Sequence, residues 1–162
     1  MSEAQRKIYE DELPETAKAN THILSSLFDD DFFARINLLN EKYESEPRDN
    51  KWIVLGSNSW VKGALQSENW CKENDLDHEV IFGVEYDQFL KRLAQAKGLC
   101  AMPTGYDTCP RLVIEAKLLG CALQTNENVQ HRDEEWFNKS NDEIVKYLKT
   151  RKDYFWMHAF NG

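Results

Sequence analysis

Residues 79–103 read EVIFGVEYDQFLKRLAQAKGLCAMP: a short apolar run, a glycine loop, an amphipathic run and a second short apolar run. Short continuous apolar runs suit strands buried on both faces, and the run YDQFLKRLAQAK between them carries helical patterning. The unit is therefore strand (79–83), helix (86–97), strand (99–103). Working outward, the same alternation continues on both sides. WIVLG (52–56) is a strand followed by a helix around 60–73, and after residue 103 come a helix at 110–119 and a short strand at 121–124. Strands separated by helices of this length predict a parallel sheet covered by helices on both faces, an α/β fold of Rossmann-like type.

The flanks add helices. SEAQRKIYEDEL, with Ser2 as its cap, is a helix that should end just before Pro14, and DDDFFARINLLNEKY opens with acidic residues and spaces Phe32, Phe33, Ile36, Leu39 and Tyr43 along one face. THILSS between them is a short strand candidate. ESEPRDNK breaks the pattern before the alternating series. Beyond residue 124, helices are predicted near 133–137 and 141–150, with the aromatic tail DYFWMHAF as a further one. No internal repeat or low-complexity segment interrupts the chain.

Composition narrows the class. With 162 residues, 41% hydrophobic and 30% charged, the chain suits one soluble globular unit. A net charge of −8 without a dense Lys/Arg cluster argues against nucleic acid as a partner. There is no transmembrane segment, since no run of 18 apolar residues exists, and the N-terminus lacks the apolar segment of a signal peptide, so the expected location is cytoplasmic. Cys71, Cys100, Cys109 and Cys121 form no C-x-x-C pair and have no His at ligand spacing, so they read as reduced, mostly buried thiols.

Ligands of open parallel sheets bind beyond the carboxyl ends of the strands, where loops lead into helix N-termini. Three such loops stand out. GSNSWVKG (56–63) offers small residues, hydroxyls including Ser57, and Lys62, which suits a phosphate; a solvated surface lysine is the plainer reading. Neither the G-x-x-x-x-G-K-[ST] phosphate loop nor the G-x-G-x-x-G fingerprint is present. In GVEY (83–86), Glu85 either caps a helix or touches a ligand, and capping is the simpler role. In PTGYDTCPRLVIEA (103–116), Asp107 and Thr108 read as turn and cap residues before Pro110. Helical spacing turns Glu115 inward or toward a cleft, where a carboxylate needs a partner. That partner is either Arg111, one turn earlier, or a ligand diol, which a carboxylate accepts side by side. The residues alone leave both open.

DTCPRLVIEAKLLGC, with Asp107 and Glu115 seven residues apart, resembles the E-x7-E segment of retaining glycosyltransferases of the GT-B fold. Lys62-Gly63 falls where those enzymes carry a diphosphate-binding Lys-Gly, and residues 79–105 are similar to their strand, glycine loop, helix and strand. The resemblance covers roughly residues 50–137. It implies a nucleoside diphosphate sugar as ligand, with no metal or other cofactor. Glu115 would bind the donor ribose and Lys62 the diphosphate, while Asp107 and Thr108 would lie at the transferred sugar and Gly83, Val84 and Glu85 along the base. Ser57 stands near the place of the family's phosphate-binding arginine, and Arg111 is the candidate to supply that charge. Three departures mark the chain: Asp107 replaces the usual glutamate, Pro110 stands where glycine is common, and Ala122 replaces a proline.

The same resemblance divides the chain into an interdomain-type helix, crossing segment and linker (1–50) and a donor-binding domain with C-terminal helices (51–162). These enzymes are built of two such domains, and the acceptor half is not recognisable here, so the expected partner is a separate N-terminal acceptor domain or a second copy of the chain. The implied activity is transfer of a hexose-type sugar to a glycan or lipid-linked acceptor once that half is supplied. A non-catalytic nucleotide-binding or regulatory module, or a fragment of a sugar-nucleotide epimerase, are the alternatives. The tail RKDYFWMHAF resembles the closing helix that packs on the acceptor domain; packing into its own core is the competing reading.

Overall fold

The computed structural model describes residues 2–13, 15 and 22–160. Four parallel strands, β1 (Trp52–Leu55), β2 (His78–Ile81), β3 (Gly98–Ala101) and β4 (Ala122–Thr125), form one sheet in the order β2-β1-β3-β4. Trp52 pairs with His78 on one side and with Gly98 on the other, and Gly98 pairs in turn with Ala122. Each crossover contains a helix: α3 (Ala64–Glu73), α4 (Tyr86–Gln95) and α5 (Arg111–Leu118). The predicted α/β architecture of Rossmann-like type is what the chain adopts.

The apolar strands split by alternation, as the period of two requires. Ile53 and Leu99 face the larger core, which also takes in α4, α5, the helix α2 (Asp30–Tyr43) and the long helix α6 (Asn141–Phe160). Trp52, Val54 and Cys100 face the opposite side, where Cys71 of α3 closes a smaller cluster. Both faces are thus covered, and Phe28, Phe32, Phe33, Ile36 and Leu39 share the core of the sheet domain rather than forming one of their own.

Helix ends follow local chemistry. Ser2 caps α1 (Glu3–Glu12) with a complete capping box, its hydroxyl accepting from the Gln5 amide and Gln5 returning the bond, and Asp29 caps α2 by accepting from the Phe32 amide at 2.8 Å. α1 is held to the domain through a buried cluster. Glu134 accepts from the Glu3 amide, His131 and the Trp136 indole, and Ser2 bonds Gln130. Arg48 fastens two other helix ends, donating to the carbonyls of Leu93, Ala96 and Leu119.

The structure departs from the sequence reading in three places. Residues 22–29 have no regular structure. A strand would have to pair at the open edge of β2 or β4, whereas this segment lies over the sheet face with Phe28 in the core against Phe32; Thr21 lies outside the described residues. The helix expected at 133–137 is a short 3-10 turn (Glu135–Asn138). The two C-terminal helices are one, α6, because no Gly or Pro interrupts residues 141–160. Near its end Phe155 is 36% and Trp156 49% exposed, so these rings lie outside the core. Pro14 lies outside the described residues, as does the side chain of Phe160.

Candidate functional site

The strand order places a topological switch between β1 and β3: the chain leaves β1 toward β2, then returns past β1 to β3. Beyond the carboxyl ends of the strands a cleft of about 480 Å3 opens there. Leu55, Ile81, Phe89 and Leu112 give it an apolar floor, and Lys62, Gly83, Val84, Tyr86, Cys109, Arg111 and Glu115 line its walls.

Two loops are pressed together at one wall. The 3-10 turn Trp60–Lys62 ends on Gly63 at φ 60°, and a Cβ on Gly63 would stand 1.9 Å from the Met102 carbonyl oxygen. Only glycine allows that approach in a left-handed backbone. The Thr104 amide donates to the Val61 carbonyl at 3.1 Å across the same seam. Lys62 is thereby delivered to Asp107, whose two carboxylate oxygens accept from Nζ at 2.9 and 2.8 Å. Asp107 is itself pinned by backbone bonds, its amide donating to Asn128 and its carbonyl accepting from Gln130.

Glu115 forms the opposite wall. It is 3% exposed, on the face of α5 where helical spacing places it, and its Oε1 accepts from the Tyr86 hydroxyl at 2.9 Å. Arg111 Nε lies 3.8 Å from the same oxygen, too far for a hydrogen bond, and its guanidinium rests over the Phe28 ring. Burial pushes the Glu115 carboxyl above the usual carboxylate range, against the opposing pull of Tyr86 and Arg111. Burial, reinforced by the Glu115 charge, likewise pushes the Tyr86 phenol up.

Of the residues singled out in the sequence, Lys62, Gly83, Val84, Arg111 and Glu115 line the cleft, and Asp107 joins through Lys62. Ser57, Thr108 and Glu85 are not among the lining residues. Ser57 accepts from the Ser59 amide and so stabilises its own loop, and Thr108 is exposed. Glu85 occupies the position before α4, but its side chain makes no cap bond, so the capping role expected of it is not played. Tyr86 was missed. Its 29-residue separation from Glu115 gives no signal in the chain, and only the crossover from β2 to β3 brings α4 against α5. Among the described residues no group of three or more His, Cys, Asp or Glu side chains could hold a metal ion, and no helix is long and apolar enough to cross a membrane.

The fold and cleft define an α/β protein of Rossmann-like type with a ligand-sized opening at the sheet's carboxyl edge. Compared with known proteins, the chain matches no protein family, no curated protein and no solved structure.

Proposed function

We infer that the cleft binds a nucleoside diphosphate sugar and that the chain supplies the donor-binding domain of a retaining glycosyltransferase, transferring a hexose-type sugar when paired with an acceptor domain. The observation that carries this is Glu115. A carboxylate held 3% exposed, destabilised by that burial and kept in a cleft wall costs stability, and such costs are retained where a ligand uses the group. Its role is to accept both ribose hydroxyls. Gly83 and Val84 lie along the base, and the apolar floor takes the rest of the nucleoside.

Lys62 is the group for the diphosphate. Asp107 neutralises it, so binding exchanges one anion for another: Nζ turns to the phosphates and the Asp107 carboxylate is released toward the hydroxyls of the sugar. During transfer the departing diphosphate gains charge, and a positioned ammonium in a low-dielectric cleft stabilises it. Arg111, half-exposed at the rim, adds a second cation.

Calorimetric titration with UDP, GDP and ADP and with their nucleosides tests the assignment. One diphosphate is expected to bind, Glu115→Gln weakening it by about tenfold or more, in line with about 1.5–3 kcal/mol for a charged hydrogen bond. Lys62→Ala should weaken the diphosphate and spare the nucleoside. Binding unaffected by Glu115→Gln sinks the ribose role, and equal losses for diphosphate and nucleoside sink the phosphate role. The mutual satisfaction of Lys62 and Asp107 favours a second reading, a non-catalytic module that kept the nucleoside end of the site. In that case the nucleoside binds as tightly as its diphosphate.

A further inference from the structure

Among the described residues the most exposed aromatic side chain belongs to the turn that carries Lys62 to this cleft. Trp60 is 74% exposed, although its backbone is fixed. Its carbonyl accepts from the Thr104 hydroxyl at 2.7 Å and from the Gly63 amide at 3.1 Å, so the turn is held by the main chain and not by the indole. The ring lies over Gly105, so close that a Cβ there would stand 3.4 Å from its edge, and the next residue, Tyr106, is 58% exposed. A solvent-facing Trp on a fixed main chain, its ring against the glycine that precedes a second exposed aromatic, is a surface that core packing does not require. A charge follows each closely: Lys62 lies two residues after Trp60 and Asp107 one after Tyr106, and the two are bonded to each other.

We propose that Trp60 and Tyr106 form a stacking platform for a pyranose ring, with the Asp107 carboxylate accepting from a pair of its hydroxyls. A pyranose presents an apolar face of C–H groups and an edge of adjacent hydroxyls. The face is matched by an aromatic plane, and the edge by a carboxylate, whose two oxygens accept from both hydroxyls. A nucleobase would stack as well but has no adjacent hydroxyls to donate to the carboxylate. The Asp107 carboxylate is already held in place by its backbone bonds to Asn128 and Gln130, so little is lost in ordering it. The ring has two possible sources, a glycan or the sugar of a nucleotide-linked donor, and only the second rests on the nucleotide reading above.

The test titrates wild type, Trp60→Ala and Tyr106→Ala with maltotriose, chitotriose and mannotriose, and in parallel with UDP, UDP-glucose, GDP and GDP-mannose. Ligand-observed NMR reads weak binding and calorimetry the rest. Both variants should keep the wild-type melting midpoint within about 1 °C, because the rings are exposed. Trp60→Ala is expected to weaken a trisaccharide, or a nucleotide sugar relative to its bare diphosphate, roughly three- to tenfold. Loss for a free trisaccharide identifies a glycan as the source, and loss confined to the sugar-bearing nucleotide identifies the donor. The platform is overturned if no saccharide-bearing probe depends on Trp60, or if the bare diphosphate loses as much as its sugar conjugate, which would make the indole a base platform. Neither result alters the Glu115→Gln response that tests the nucleotide site.

Discussion

Replacing Gly63 by alanine separates two costs that the loop structure combines. The residue sits at φ 60°, a conformation that costs a residue with a Cβ about 1–2 kcal/mol. Its Cβ would also stand 1.9 Å from the Met102 carbonyl oxygen and 2.9 Å from Pro103 Cα. These are main-chain atoms and cannot swing aside, so the loops after β1 and β3 must part, at a cost of about 1–3 kcal/mol typical of overpacking. The seam they would open carries the bonds from the Ser67 amide and hydroxyl to the Gly63 carbonyl and from the Met102 amide to the Ser67 hydroxyl. Together the two costs predict a loss of about 2–5 kcal/mol, a large share of the total stability of a domain of this size. Gly83 is the internal control: it has φ 68° but nothing within 4 Å of an added Cβ, so Gly83→Ala should lose only the conformational part, about 1–2 kcal/mol. Urea denaturation followed by far-ultraviolet circular dichroism measures both. If Gly63→Ala loses no more than Gly83→Ala, the close approach of the two loops is not what holds Lys62 against Asp107.

Glu115→Gln should behave oppositely in stability and in binding. The folded protein raises the Glu115 pKa, so the ionised form is disfavoured on folding. The wild type should therefore fall behind the variant as pH rises from about 4 through the raised folded value, and match it below the unfolded value. Denaturation at several pH values checks this, and a variant less stable than wild type near neutrality would contradict it. Arg48→Met keeps the stem but removes the donors to the carbonyls of Leu93, Ala96 and Leu119, and a loss of about 1–2 kcal/mol in urea is expected. Alkylation of the native protein should modify Cys109 first, since it alone is exposed. Burial raises the thiol pKa of Cys71 and Cys100 and pushes that of Cys121 up to about 11. Peptide mass mapping that finds Cys71, Cys100 or Cys121 modified as quickly would show those sites to be open.

Short apolar runs between helical patterns were enough to read the parallel sheet. The central strands β1 and β3 are apolar and largely buried along their length while the edge strands admit His78, Glu79, Gln124 and Thr125, and crossover helices must be amphipathic, so the local pattern reflects the global layering. The same arithmetic put Glu115 on the inner face of its helix, because a period of 3.6 residues needs no tertiary information. Lys62 and Asp107 were visible as candidates because loops after strands supply ligand groups in such sheets. Their bond across 45 residues was not visible. It depends on how closely the loops of β1 and β3 approach, which Gly63 permits but does not announce.

Sequence by itself determined the fold class, the cap at Ser2, the acidic start of α2 and the inward turn of Glu115, all of which are written in patterns a few residues long. Tertiary structure alone decided the partners of the charged groups. Tyr86 reaches Glu115 only because the strand order brings α4 beside α5, and Arg111, one of the two partners the spacing allowed, stays within 3.8 Å of the carboxylate as a long ion pair while its guanidinium rests over the Phe28 ring. The strand expected in THILSS also failed for a tertiary reason. Strand formation requires a free edge to pair with, and the chain places Phe28 in the core of the face rather than at an edge of the sheet. Local patterns record which residues must be buried; which of them meet is set by the strand order, where contacts span tens of residues and leave no periodic trace.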